Sequence, residues 1–204
     1  MKMNVTSGRA SRAWHAGRAC WLLLALWLGS AGSGWAADGD AEDVPVVPPP
    51  LVRLAELEGD VEVSTPAGPS SDGGWVRAER NLPLGAGSRL RTGATGRAVL
   101  QLGSTTLRAG SSSELLLRQL DEASLVVELV RGQLALGVRG SGEGIELLTA
   151  ELRAVPLGPG LFRFDRNAER SAVGSWRGTL RAEDDRGTFE VGAGASIEVG
   201  SAHG

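Results

Sequence analysis

Between Trp75 and Val138 the chain changes polarity at every second residue, in short runs broken every 6 to 12 residues by glycine-containing turns. Ala98, Leu100 and Leu102 share one side of such a run, and Arg97, Val99 and Gln101 share the other. Leu125, Val127 and Leu129 repeat the pattern, as do Leu134, Leu136 and Val138. Successive side chains leave a pleated strand on opposite faces, so a period of two predicts β-strands with one buried and one solvated side. Strands this short at this spacing fold as an all-β sandwich, barrel or prism. Sixteen runs are predicted between 51–57 and 195–199, with separate strands at 124–130 and 133–138, and no segment shows helical periodicity. The predicted fold is therefore all-β: one domain over 51–200, made of many short antiparallel strands arranged as a β-prism or a sandwich. Leu100, Leu117, Val127, Leu136, Phe162 and Phe164 are expected to face inward and Glu128 outward.

The first 36 residues are of another kind. Lys2, Arg9, Arg12 and Arg18 precede an apolar run, Trp21–Leu28, and small residues follow it up to Ala36. This is the architecture of a secretory signal peptide. The apolar run is about 8 residues long, well short of the ~20 that cross a hydrocarbon core, so cleavage after Ala36 is expected. The mature protein would then be periplasmic, soluble or peripheral, with no stable membrane insertion. An uncleaved signal anchor is the competing reading. Residues 37–50 (ADGDAEDVPVVPPP) are acidic and then proline-rich, as a linker would be.

Removing the leader also removes the only Lys, the only Cys and both Met, and leaves 17 basic against 24 acidic residues, a net charge of −7. These losses exclude whole classes of chemistry. The single remaining His is His203, near the C-terminus. Triad hydrolysis needs a positioned imidazole, thiol catalysis needs Cys, and zinc sites need His and Cys clusters. No catalytic, cofactor-binding or metal residue is assigned, and the chain is expected not to be an enzyme. Paired carboxylates are the route that remains open. Asp184 and Asp185 are adjacent, and Glu114 could face Asp121 or Glu122 across a hairpin. However, Asp184-Asp185-Arg186-Gly187 suits a tight turn better, and a carbohydrate-active site built on Asp and Glu alone would want more aromatics around it. Arg89, Arg91, Arg97, Arg108 and Arg118 fall on outward positions but are interleaved with Glu114, Asp121, Glu122 and Glu128. That mixture predicts a solvated face of both signs and no nucleic-acid binding.

One more layer of information lies in the order of these segments. It runs LVRLAELEGDVEV (51–63), WVRA, LPLGAGSRLRTG, RAVLQLGSTTLRAGSSSELLL and VELVRGQLALGV, then PGLFRFD (159–165) and VGSWRGTLRAEDDRGTFEVGAGASIEV (173–199). The series resembles the FecR domain, in the DUF6600-type variant of exported proteobacterial proteins. There the Trp is followed by N-R-P-L-x-x-G-D-R-L-W-T. The counterparts here are Asn81, Leu82, Pro83, Leu84, Gly87, Ser88, Arg89, Leu90, Arg91 and Thr92, with Ser88 in place of the family's Asp. The resemblance implies structural landmarks at Trp75, Pro83, Gly87, Leu90, Thr92, Gly132, Gly160 and Arg163. It also implies a non-enzymatic binding or scaffold module of the bacterial envelope. FecR-type regulators relay a signal to a sigma factor from a cytoplasmic segment ahead of a membrane helix, and 20 residues precede the apolar run here. A membrane-anchored participant in such signalling is the alternative reading. The expected partner is an envelope protein or polymer. The candidate contact edge is the last strand pair, through Phe189, Val191, Ile197 and Val199, with Ile197 as the position where proline would remove a free backbone donor.

Overall fold

The computed structural model describes residues 50–66 and 74–200. The leader, all but the last residue of the linker, the tip of the loop before Trp75, and His203 lie outside the described residues. Within them the chain forms sixteen strands and no helix. In order these are β1 (Val52–Glu58), β2 (Val61–Ser64), β3 (Val76–Arg77), β4 (Pro83–Leu84), β5 (Arg89–Thr92), β6 (Arg97–Leu102), β7 (Thr105–Ala109) and β8 (Glu114–Leu120). They continue as β9 (Leu125–Val138), β10 (Ile145–Leu148), β11 (Arg153–Pro156), β12 (Gly160–Arg166), β13 (Arg170–Arg177), β14 (Leu180–Asp184), β15 (Gly187–Val191) and β16 (Ser196–Gly200).

The strands make two hydrogen-bonded layers. Layer A runs β4-β1-β6-β7-β9-β12-β13-β16, and layer B runs β3-β2-β5-β8-β9-β10-β11-β14-β15. Both contribute side chains to one core, so the layers face each other as a sandwich. Leu100, Leu117, Val127, Leu136, Phe162 and Phe164 are all in it, as the alternation predicts.

β9 belongs to both layers. Its first half pairs with β8 and β10, and its second half, from Gly132, pairs with β7 and β12. The glycine expected to end one strand and begin another instead lies inside a single strand and lets it change layers. Gly132 has φ +92°, and a Cβ there would stand 2.5 Å from the Ser113 Cα. Ser113, fully buried, pins the bend: its hydroxyl accepts from Gln133 N at 2.9 Å and donates to Gln133 O at 3.0 Å. Thr92, one of the expected landmarks, holds Ser113 in turn, accepting from Ser113 N at 2.8 Å and donating to Gly110 O at 2.7 Å.

One strand pair departs from the predicted antiparallel arrangement. After β9 the chain returns through Arg139–Gly144 to the other layer and enters β10 beside the start of β9, in the same direction, so β9 and β10 are parallel. β4 is a further strand outside the predicted runs, since two residues give no period to detect.

The two lateral ends of the sandwich differ. At one, residues 78–82 cross from β3 in layer B to β4 in layer A. The crossing is tied down by Ala78 N to Val61 O at 2.8 Å and Asn81 N to Leu54 O at 2.8 Å, and Ala78 and Leu84 are buried beneath it. At the other, β15 and β16 are joined by Gly192–Ala195, which carries no side chain larger than a methyl group. That end is closed less completely.

Candidate functional site

At this second end, among the described residues, β15 pairs only with β14, and β16 only with β13. Each is the edge of its layer. Between them lies an open groove of about 520 Å³, lined by Arg186 and Phe189 from the β14–β15 hairpin and by Ile197 and Glu198 from β16. Two of the four predicted edge residues, Phe189 and Ile197, therefore share one concavity. The other two do not line it. Val191 and Val199 are buried, because they sit two residues further along the same inward sides of their strands, where the opposite layer covers them. Phe189 is 37% exposed at the mouth, and Ile197 packs against the core from the groove.

Backbone polarity at the two edges follows from the register. Ser175 N donates to Ala195 O at 3.0 Å, and Val173↔Ile197 and Ser171↔Val199 follow at intervals of two. In an antiparallel ladder, such residues direct both N–H and C=O at their neighbour. The Ile197 N–H is therefore held by β13, which corrects the reading that a proline there would remove a free donor. The outward groups on β16 belong to Ser196 and Glu198. In β15 the two-residue loop at Asp185-Arg186 makes Asp184↔Gly187 and Ala182↔Phe189 the bonded pairs. Thr188 and Glu190 face outward. Sequence alone could not supply this, because the phase of the ladder depends on strand pairing far along the chain.

The other candidates resolve into structural roles. Trp75 lies partly exposed at the layer B edge. The Arg91 guanidinium stacks over its ring at 4.3 Å and that of Arg89 at 5.5 Å, so it anchors the loop onto the outer face of β5. Leu90 is core; Pro83 and Gly87 are exposed; Gly160 is buried where a Cβ would meet the Phe162 ring at 2.3 Å. Arg163 is on the outer face of layer A, in a two-point pair with Asp165 at 2.7 and 2.9 Å. The outward arginines are interleaved with acids as expected: Arg91 pairs with Glu62 at 2.5 Å, Arg118 with Glu128 at 2.6 Å, and Arg89 with Glu114.

Glu114 does not face Asp121 or Glu122. It stands at the opposite end of β8, between Arg89 and Arg131, because the β8–β9 hairpin places Glu114 against Arg131. Asp184 and Asp185 form the predicted turn. Asp184 accepts from Arg186 N at 2.8 Å and Gly187 N at 3.1 Å, and its carboxyl is held below the ordinary aspartate range, first by the Arg186 side chain and then by those amides. A folded-state value lowered in this way gives stability that is present above the unfolded value and is lost as the pH falls through the folded one. Asp184→Asn is therefore expected to lower Tm at pH 7, with the gap to the wild type narrowing below about pH 4 in thermal melts. A gap that stays constant with pH would assign its effect to shape alone.

No family model matches the chain, and no curated protein matches it. Among solved structures it is similar to two crystal structures of candidate anti-sigma factors from Parabacteroides distasonis ATCC 8503. The one at 1.65 Å resolution gives a TM-score of 0.50 at 16% identity, covering 57% of this chain and 56% of that one. The one at 2.50 Å gives 0.49 at 15% identity, over 57% and 56%. The chain thus spans a little over half the length of these proteins, and at such identity the likeness is one of fold.

Proposed function

We propose that this chain is an exported, non-enzymatic binding module of the bacterial envelope, which holds an extended segment of a partner protein along the open β15 and β16 edges. The observation that carries the reading is the asymmetry between the two ends of the sandwich. Both ends finish in two edge strands, but at one residues 78–82 cross between strands of only two residues, whereas at the other the five-residue β15 and β16 flank a groove lined by Phe189 and Ile197 with Arg186 and Glu198. An added strand would bond to the outward groups of Thr188 and Glu190, or of Ser196 and Glu198, and would set alternate side chains against Phe189 and Ile197. The leader at 1–36 supports export, and the absence of His, Cys and Lys between 37 and 200 supports a non-enzymatic role. A second reading, a membrane-anchored participant in envelope signalling of the FecR type, is supported by the resemblance of 51–63, the segments between 75 and 138, 159–165 and 173–199 to that domain and by the fold shared with a candidate anti-sigma factor.

Proline at an outward position tests the edge directly. Glu190→Pro is expected to keep the fold, because the N–H it removes is not in the β14 ladder, and to abolish partner recovery from envelope extracts. Ile197→Pro, which breaks a bond to β13, is expected to lower Tm as well. Glu198→Pro makes the same test on β16, and equal recovery of the same partner by the wild type, Glu190→Pro and Glu198→Pro would refute edge capture.

A further inference from the structure

The outer face of layer A carries a second concave surface, which meets the edge strand β16 at Ser196 and Glu198. Two depressions, of about 420 and 330 Å³, share Arg163, Asp165 and Ala172 and so form one trough along β13. Its floor is low because the outward residues of β13 are Ala172 and Gly174. The register fixes its walls. Gly174 lies between Arg163 of β12 and Ser196 of β16, and Ala172 lies between Asp165 and Glu198. At one end stands Trp176, 57% exposed. It is the extra residue of a β-bulge, since Leu161 pairs with Arg177 and Phe162 with Ser175, and a bulge re-aims the side chain it inserts. At the other end, Arg170 pairs with Glu198 at 2.7 Å. Six residue steps along the strand lead from Arg170 to Trp176, about 20 Å at the usual rise, enough for several pyranose rings in a row.

We infer that this trough is a binding site for a neutral polysaccharide strand. The exposed indole offers an apolar face with negative charge density at its centre, which suits the weakly positive C–H face of a sugar ring. Beyond it the groups are polar and already neutralised in pairs: Arg163 with Asp165, Arg170 with Glu198, and Arg166 with Glu151 at 3.1 Å. The Arg163–Asp165 and Arg170–Glu198 pairs present donors beside acceptors at fixed geometry, as vicinal hydroxyls require. None of these arginines stands without a carboxylate, so the trough lacks the excess positive charge that would select an anionic polymer. An open, shallow shape admits an internal stretch of a long chain, where an enclosed pocket would take only its end.

The inference does not rest on the edge reading, although the two sites adjoin at Ser196 and Glu198. Calorimetric titration of the full chain with cellohexaose, maltohexaose and chitohexaose, with heparin as the anionic control, tests it. At least one neutral hexasaccharide is expected to bind saturably. Trp176→Ala and Arg163→Ala are each expected to weaken that binding tenfold or more with Tm unchanged, and Glu190→Pro is expected to leave it intact. Absence of binding by all three neutral probes, equal binding by Trp176→Ala, or binding of heparin alone would overturn the assignment.

Discussion

Leu136→Ala is expected to lower the unfolding free energy by about 2–5 kcal/mol, the range for removing a fully buried leucine and leaving a cavity behind. Leu136 has no exposed surface and sits in the second half of β9, opposite Leu107 of β7 on one side and Phe162 of β12 on the other. Strands flank it on both sides, and the Phe162 ring is held against Gly160, so the site has little room to collapse. Glu128 is the control. It is on the outward side of the same strand and pairs with Arg118 at 2.6 Å. Its replacement by Ala is expected to cost no more than about 1 kcal/mol, as for other solvated ion pairs. Denaturant unfolding of the three proteins decides the matter, and equal losses at the two positions would place the register one residue out.

Gly132→Ala is expected to be at least as damaging, with a loss above about 4 kcal/mol or failure to fold. Two effects combine. The residue has φ +92°, a conformation that costs an L-residue about 1–2 kcal/mol. The new methyl would also meet Ser113 Oγ at 2.4 Å, Ser113 Cα at 2.5 Å and Ser112 O at 2.8 Å. Two of these are backbone atoms, and Ser113 is itself fixed by Thr92 and Gln133. Relief would require moving the strands on which both layers depend. Gly103→Ala isolates the first effect, since Gly103 has φ +53° and nothing within 4 Å of the added methyl. It is expected to lose about 1–2 kcal/mol. Similar losses at both glycines would show that β9 does not rely on a close approach at its bend.

Gly132 also shows where the sequence stops being informative. Alternation on each side of it was legible, and it placed Leu125, Val127, Leu134 and Leu136 in the core. Whether a glycine ends a strand or bends one depends on Ser113, about 20 residues away in sequence, and no local pattern encodes that contact. The parallel β9–β10 pair has the same origin, because the direction of β10 is set by a crossover between layers. The candidate edge was legible in part. Phe189 and Ile197 line the groove, but Val191 and Val199 share their inward sides and are covered by strands that the local sequence does not name. The trough has no signature in the local sequence. Its walls come from β12, β13 and β16, and the bulge that presents Trp176 is visible only once Leu161 is paired with Arg177.

Residue-resolved amide hydrogen exchange on the purified full chain tests the open edge most directly, because it needs no knowledge of the partner. The account predicts alternation along both edge strands. The amides of Phe189, Val191, Ile197 and Val199 should be protected by β14 and β13, and those of Thr188, Glu190, Ser196 and Glu198 should exchange rapidly. Uniform protection along β15 and β16 would mean that something already covers the edges in the isolated protein, and would contradict a site held open for an extended partner segment.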